Sequence, residues 1–263
     1  MAYRCVPVNE FVIRRARLFT ASDTLANDVR DILARLRPHL LDFIKLNELP
    51  PQQTLTLMQW ARPDRLQSLR TTYAKHIYLK QPTLSQEGKP LLSLWAQWYL
   101  GLMVPPLLVA LLTQKIAIDL SPEHLHVEFH ETGRAACFWM DVEQDAALTT
   151  QGDIPRIEAL IIRAMSPVVA ALEATGEING KLIWSNTGYL INWCLGEMKP
   201  LLGDERVATL RQFCFFEKTL SNGNDNPLWR TVVNRDGVLV RRTCCQRYRL
   251  PDVQQCGDCT LKK

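Results

Sequence analysis

The chain contains none of the sequence motifs that mark the common nucleotide-binding and flavin-binding folds. Neither G-x-G-x-x-G nor a P-loop occurs in its 263 residues, and no internal repeat or low-complexity segment is visible. No nucleotide or flavin site is therefore indicated. Residues 1–10 lack an apolar core after a basic start, which predicts a cytoplasmic protein without a signal peptide. Thiols stay reduced in the cytoplasm, so clustered cysteines there usually indicate metal or redox chemistry.

The net charge is modest, but it is unevenly distributed along the chain. Lys and Arg number 14 against 8 Asp and Glu over residues 1–90, 9 against 16 over 91–227, and 8 against 3 over 228–263. The basic C-terminal segment can steer an acidic partner. The acidic middle argues against a continuous nucleic-acid groove, so we expect no nucleic-acid partner.

One apolar run is long enough to suggest a membrane span. Residues 91–112 contain no charged side chain, which satisfies the length rule for a transmembrane helix. Pro105 and Pro106 lie in its second half, where they would break a helix. We therefore predict two buried helices that meet at the prolines, with the first over about 91–102. Peripheral contact with the inner membrane stays open.

The remaining patterns predict a helix-dominated α+β fold, because stretches of helical period alternate with two short stretches of period two. The loop at 221–227 is rich in Asn and Gly and predicts a boundary between a body over 1–226 and a subdomain over 227–263. The other predicted elements are an extended segment over 3–13, helices over 22–49 (ending before Pro50), 64–77, 153–176, 182–194 and 204–218, and hairpins over 124–140 and 232–240.

Four of the eight cysteines lie close together near the C-terminus. They form a C-C-x10-C-x2-C array made of Cys244, Cys245, Cys256 and Cys259. Soft thiolates select zinc or iron–sulfur over hard cations. Structural zinc prefers ligand pairs two to four residues apart, so the adjacent pair favours a 2Fe–2S cluster. Structural zinc and redox thiols or disulfides remain open. The four other cysteines, Cys5, Cys137, Cys194 and Cys214, have apolar neighbours and resemble small core residues.

The cysteine segment also carries a family resemblance. The run R-R-T-C-C-Q-R-Y-R-L-P over 241–251, followed by C-G-D-C over 256–259, resembles the C-terminal signature of the FhuF-type ferric-siderophore reductases. The resemblance extends over essentially the full chain. It implies that Cys244, Cys245, Cys256 and Cys259 hold one 2Fe–2S cluster, which reduces Fe(III) in hydroxamate siderophores.

Further expectations concern the partners. With no nicotinamide or flavin motif in the chain, the cluster must be recharged by an external carrier such as a ferredoxin or a flavodoxin-like protein. We expect that carrier to dock on the basic C-terminal segment. The body over 1–226 would bind the siderophore, and no catalytic residue is needed beyond the cluster ligands.

A second group of metal-ligand side chains lies on the first predicted hairpin. Because the side-chain period of a strand is two, three histidines and a carboxylate share one face: His124, His126, Glu128 and His130. A flat row rarely converges on one ion, so an amphipathic strand with Leu125, Val127 and Phe129 inward is the simpler interpretation. A weaker functional interpretation is that this face of the strand lines the siderophore pocket. The residues predicted to dock substrate or donor are Arg241, Arg242, Arg247, Arg249, Glu128 and His130.

Two other classes of protein compete with the reductase. One is an interaction protein with a structural zinc knuckle, which would be colourless. The other is a ferredoxin-like electron carrier without its own substrate, which the large helical body disfavours. Visible absorbance tests the first alternative, and binding of a ferric hydroxamate tests the second.

Overall fold

The computed structural model of the chain describes residues 21–257 and 259–261. The predicted extended segment over 3–13 and Cys5 lie outside these residues. The helices are α1 (Ala21–Leu36), α2 (Leu57–Trp60), α3 (Pro63–Ile77), α4 (Gly88–Thr113), α5 (Ala146–Thr149), α6 (Asp153–Ala159), α7 (Ser166–Glu173), α8 (Gly180–Glu197), α9 (Lys199–Leu202) and α10 (Asp204–Phe216). The strands are β1 (Ile44–Leu46), β2 (Leu55–Thr56), β3 (Leu125–Phe129), β4 (Ala135–Met140), β5 (Val232–Arg235) and β6 (Val238–Arg241). This order confirms a helix-dominated α+β fold.

Helix α4 forms the centre of the core, and the prediction of two helices meeting at the prolines is wrong. One helix runs from Gly88 to Thr113 with Pro105 and Pro106 inside it, both buried. A proline within a helix costs about 3 kcal/mol, because it removes a donor and crowds the preceding turn. Buried leucines on both sides of the prolines stabilise the structure by about 1.5 to 3 kcal/mol each, so packing outweighs the local cost.

The same helix passes a length and composition test for a membrane span, but the protein covers it. In its most apolar window, 78% of the residues are buried inside the protein. It packs against α1, α6, α8 and β4. The apolar character of residues 91–112 therefore serves the protein core.

The N-terminal region differs from the prediction of one helix up to residue 49. Helix α1 ends at Leu36, and a 3-10 turn over Pro38–Asp42 leads into the short strand β1. Pro38 explains the early end, since the residue before a proline is disfavoured in the helical region. β1 pairs parallel with β4, and β2 pairs antiparallel with β3, which gives the sheet order β1-β4-β3-β2. Strands of three and two residues are too short to produce a readable period.

The other predicted elements are confirmed. α3, α8 and α10 match their predicted positions within a few residues, and both hairpins form. The predicted helix over 153–176 is α6 and α7 joined by a π-helical stretch over Leu160–Met165. The first hairpin is held between α3 and α4, because Trp95 Nε1 donates to Gly133 O at 2.9 Å. Gly133 also lies close to α3, because a Cβ added to it would stand 2.5 Å from Leu69 O. The φ of Gly133 is +81°, a value that favours glycine.

The C-terminal hairpin packs on α8. Asp236 and Gly237 in its turn both have positive φ, as a tight type I′ turn requires. Gly188 of α8 lies so close to the start of β5 that an added Cβ would stand 2.7 Å from Thr231 Cβ. This close approach places the chain that leaves β6 next to α4 and α8.

Candidate metal centre

The four C-terminal cysteines come together as two pairs. Cys244 Sγ lies 3.9 Å from Cys259 Sγ, and Cys245 Sγ lies 4.0 Å from Cys256 Sγ. Each pair joins one cysteine of the adjacent doublet to one of the C-x2-C loop. Within residues 21–257 and 259–261, no three Cys, His, Asp or Glu side chains lie close enough to hold one ion together. The four sulfurs therefore form two separate pairs.

A reversal of the chain between the two halves of the array creates this pairing. After Cys245, Gln246 takes a left-handed φ of 64°, a 3-10 turn covers Arg247–Arg249, and Asp252 again has a positive φ of 57°. Leu250 is buried in the main core, and Val253 packs against it. These two apolar anchors fold the intervening segment back, so that residues 256–259 meet residues 244–245.

Nitrogen donors of the described residues contact the sulfurs. Arg241 Nη2 lies 3.0 Å from Cys256 Sγ, Gln255 Nε2 lies 3.1 Å from Cys259 Sγ, and the backbone N of Gln246 lies 3.3 Å from Cys244 Sγ. N–H donors stabilise negative charge on a thiolate and raise the reduction potential of a cluster that the thiolate binds.

Burial and these donors act in opposite directions on the thiols. Burial raises the pKa of the Cys244 thiol to about 11 and also raises the pKa of Cys256, where the Arg241 guanidinium opposes it. The backbone N–H of Leu261 lowers the pKa of Cys259. Burial would lower the pKa of Arg241, but its bond to Cys256 and the nearby thiolates raise it. Arg241 therefore remains a cation beside the sulfurs.

A buried polar network fastens the cysteine segment to α4 and α8. Ser93 Oγ of α4 donates to Cys245 O at 2.8 Å, and Asn186 Nδ2 of α8 donates to Ser93 Oγ at 3.1 Å. Arg241 Nη1 completes the network by donating to Asn186 Oδ1 at 3.4 Å. The sequence-based reasoning missed Ser93 and Asn186. The sequence feature that could have identified them is a polar side chain within an apolar helix, since buried polar groups require partners.

The predicted docking arginines take different positions. Arg241 is 6% exposed and faces the sulfurs, whereas Arg242 is exposed. Arg247 is half-buried, with its Nε donating to Gln254 O at 2.8 Å, and Arg249 forms an ion pair with Glu87. Arg242 and Arg249 thus lie on the exposed, outer side of the segment and Arg247 is half-buried, while Arg241 contacts the sulfurs from within.

The histidine row does not gather into one site, and the prediction that one strand carries all four side chains is wrong. Only His126 and Glu128 lie within β3, whereas His124 ends a 3-10 turn over Pro122–His124 and His130 follows the strand. His126 Nε2 lies 3.7 Å from Asp141, Glu128 accepts from Trp139 Nε1 at 3.2 Å, and His130 Nδ1 lies 2.9 Å from Thr132 Oγ1. Val127 is buried, and Leu125 and Phe129 pack against the core. Arg134 at the end of this hairpin shares a cavity of about 540 Å³ with Arg247, but Glu128 and His130 do not line it.

The three remaining described cysteines are core residues. Cys137, Cys194 and Cys214 are buried. Burial raises the pKa of Cys137 to about 11 and those of Cys194 and Cys214 to about 12. These thiols are protonated at neutral pH, as expected for packing residues.

The donor set fits a metal–thiolate centre. Two thiolates on one tetrahedral metal, each at about 2.3 Å, lie about 3.8 Å apart. The two observed sulfur pairs at 3.9 and 4.0 Å match this separation. Fold and site together define a metal–thiolate protein with a large helix-dominated body.

Comparison with known proteins gives the family. The model described as "Ferric iron reductase FhuF-like transporter" matches residues 93–239, and the one described as "FhuF 2Fe-2S C-terminal domain" matches residues 241–261. The chain therefore belongs to the FhuF family, and its cysteine segment is a 2Fe–2S domain. A curated relative from Escherichia coli (strain K12), named "Ferric siderophore reductase", is 64% identical over 262 residues, which cover the full length of both chains. The family resemblance and the cluster type expected from the sequence are confirmed.

Proposed function

We propose that this protein is a cytoplasmic reductase of Fe(III) bound to hydroxamate-type siderophores. We further propose Cys244, Cys245, Cys256 and Cys259 as the ligands of its 2Fe–2S cluster. The observation that carries the proposal is the pairing of these sulfurs at 3.9 and 4.0 Å inside the matched 2Fe–2S domain. The siderophore reductase with which the chain shares 64% identity supports the substrate class.

The pairing of the sulfurs suggests how the ligands divide. Cys244 and Cys259 are proposed for one iron, and Cys245 and Cys256 for the other, because each pair already has the separation of two ligands on one tetrahedral metal. Adjacent cysteines then serve different irons. Cys244 Sγ and Cys245 Sγ already lie next to different sulfurs of the C-x2-C loop.

The chain's own residues provide orientation, charge and shielding. When bound, the cluster supplies a donor of one electron at a time. Ser93 holds the Cys245 carbonyl, and Arg241 places a positive charge against Cys256. Cys245 and Cys259 are buried, whereas Cys244 and Cys256 are half-buried. The centre is therefore shielded on one side and reachable on the other.

The substrate chemistry explains why one electron is sufficient. Hydroxamate oxygens are hard, anionic ligands that suit Fe(III), and the softer Fe(II) binds them far more weakly. Reduction of the bound iron to Fe(II) releases it and leaves the chelator intact. Protonation of the freed oxygens by solvent favours release further.

An external donor is proposed to dock on the outer side of the cysteine segment. Arg242, Arg247 and Arg249 supply positive charge there, and an acidic ferredoxin or flavodoxin-like protein is complementary to it. The rate of cluster reduction by such a carrier should fall as salt rises. A rate that is independent of salt contradicts electrostatic docking.

The division of labour along the chain belongs to the same proposal. Residues 1–226 are assigned to the siderophore and residues 227–263 to the cluster. Peripheral contact with the cytoplasmic face of the inner membrane stays a prediction that vesicle flotation tests. Helix α4 gives it little support, because the protein covers most of its apolar surface.

The decisive experiment begins with protein purified without oxygen. We expect visible absorbance, two irons per chain and no zinc, followed by release of Fe(II) to a colorimetric trap when the reduced protein meets a ferric hydroxamate. A protein whose cluster is reduced but never transfers its electron to a ferric hydroxamate is an electron carrier, which contradicts the proposal.

A further inference from the structure

A groove between α4 and α8 runs past the cysteine centre. Its inner part is a cavity of about 330 Å³, lined by Leu100 and Gly101 of α4 and by Tyr189 and Trp193 of α8, with Arg241 at one end. Gly101 and Trp193 also line an adjoining cavity of about 470 Å³, which extends toward Arg37 and Glu197. Ligand sites for organic molecules have volumes of about 300 to 1,000 Å³. The groove is large enough for a molecule of siderophore size.

Arg241 lies between the groove and the cysteine sulfurs. Its Nη2 lies 3.0 Å from Cys256 Sγ, and its guanidinium carbon lies 5.7 Å from the centre of the Tyr189 ring. A molecule in the inner cavity is therefore separated from Cys256 by one guanidinium group. Gln97 also lines a second cavity, of about 540 Å³. That cavity has no contact of this kind with the cysteines, because none of the described residues that line it forms a hydrogen bond to a cysteine sulfur.

The chemistry of the wall selects among ferric chelates. Two aromatic rings and Leu100 offer apolar surface, and the amides of Gln97 and Asn186 offer polar contacts. Among the described residues that line the inner cavity, Arg241 is the only charged group. Three hydroxamates neutralise the charge of Fe(III), so such a chelate is uncharged, with apolar linkers and oxygens that accept hydrogen bonds. In the inner cavity, a triply anionic chelate would meet a single cation, whose charge already serves Cys256.

We propose that the groove between α4 and α8 is the binding site for the ferric chelate, with Arg241 donating to its iron-bound oxygens. This proposal rests on the proposed function and names the place where its substrate lies. Tyr189 and Trp193 cover the organic part of the chelate.

Gly101 offers a way to block the groove without disturbing the core. It lies inside α4, and a Cβ built on it meets no atom within 4 Å. Gly101→Leu therefore fills the inner cavity, and leucine has a higher helix propensity than glycine. This substitution should close the site while leaving the fold and the cysteine centre intact.

Two tryptophans form a matched pair for the second comparison. Trp193 lines the groove, and Trp98 lines the cavity beyond Gln97. They are similarly exposed, at 47% and 40%, and each stacks with an arginine, Arg37 at 5.1 Å and Arg134 at 4.2 Å. Trp193→Ala should weaken binding of the chelate, and Trp98→Ala should not.

The probe is the gallium(III) complex of desferrioxamine E, a cyclic trihydroxamate without a free amine, so the complex is uncharged. Gallium(III) matches Fe(III) in charge and closely in size but is not reduced, so calorimetric titration of the cluster-loaded protein measures binding without turnover. We expect the wild type and Trp98→Ala to bind within twofold of each other. Gly101→Leu and Trp193→Ala should bind at least tenfold more weakly, with unchanged cluster absorbance and unchanged electron paramagnetic resonance of the reduced protein.

The outcomes separate the site from the function. If the wild type binds the gallium chelate and both groove variants bind it equally well, the groove is not the site, and the proposed function stands. If Trp98→Ala alone loses binding, the site is the cavity beyond Gln97. If the wild type neither binds the gallium chelate nor reduces its ferric counterpart, the proposed substrate class itself is wrong.

Discussion

Within the described residues, two regions are rich in side chains of the types that bind metals, and only the C-terminal one gathers them together. In the segment over 244–259, chain reversal brings four sulfurs together in pairs at 3.9 and 4.0 Å. Around β3, three imidazoles and a carboxylate alternate in sequence, but only His126 and Glu128 lie within the strand. His126, Glu128 and His130 each contact a different residue outside the row. Ligand residue types are thus insufficient unless the backbone folds back on itself.

The rigidity of the surroundings also separates the two regions. The cysteine segment is tied to α4 and α8 by the buried contacts of Ser93, Asn186 and Arg241. The β3 row faces partly exposed surface. A metal centre needs neighbours that orient its ligands toward a common point. The contacts of the cysteine segment do so, whereas those of His126, Glu128 and His130 hold each side chain to a separate partner. Four substitutions test this contrast, from the largest expected effect to the smallest.

Cys256→Ser should abolish the cluster. It removes one sulfur of the Cys245–Cys256 pair, and a hydroxyl is a poor ligand for iron in a thiolate site. The iron content should fall from two irons per chain to nearly none, and the visible absorbance of the cluster should be lost with it. Cys137→Ala, which alters a buried core thiol, is the control that should keep its iron. Full iron content in Cys256→Ser contradicts the ligand assignment.

Gly188→Ala should weaken the attachment of the C-terminal hairpin. The new methyl group would overlap Thr231, and overpacking of this kind costs about 1 to 3 kcal/mol in the free energy of unfolding. Gly101→Ala is the matched helix glycine with free space around it and should stabilise the protein by about 0.5 to 1 kcal/mol. Denaturant unfolding measures both. Equal effects of the two substitutions contradict the close approach of α8 and β5.

Arg241→Gln should lower the reduction potential of the centre. The reduced state carries one more negative charge, which the Arg241 cation stabilises through its bond to Cys256. A charged hydrogen bond of about 1.5 kcal/mol corresponds to about 60 mV for a one-electron couple. A spectroscopic redox titration measures the shift. Arg242→Gln changes the exposed neighbour and should have the smaller effect, so equal shifts would indicate general surface charge instead.

His126→Ala should change almost nothing. Its imidazole is partly exposed beside Asp141, and such surface pairs contribute little. We expect a change in stability within about 0.5 kcal/mol and an unchanged iron content. Loss of iron in this variant would show that the β3 row takes part in a metal site, and the contrast between the two regions would fail.

Much of the fold was predictable, and the exceptions have physical causes. Helices α3, α8 and α10 and both hairpins follow from periodicity and turn residues. β1 and β2 are too short for any pattern and form only because β4 and β3 lie beside them. The prolines of α4 carry a local cost that suffices to end an exposed helix. Inside the core, the burial of surrounding leucines exceeds it.

The amino-acid sequence by itself determined the cysteine array and its family, because thiol spacing and adjacent cysteines are local features of the chain. It also determined the absence of a nucleotide-binding motif, on which the proposal of an external donor rests. Only the tertiary structure decided which sulfurs pair, since the reversal depends on the burial of Leu250 and on the packing of Val253 against the core. The network of Ser93, Asn186 and Arg241 and the groove beside it are likewise tertiary. Their members lie 93 and 55 residues apart in sequence, and only packing of α8 between α4 and the C-terminal hairpin brings them into contact.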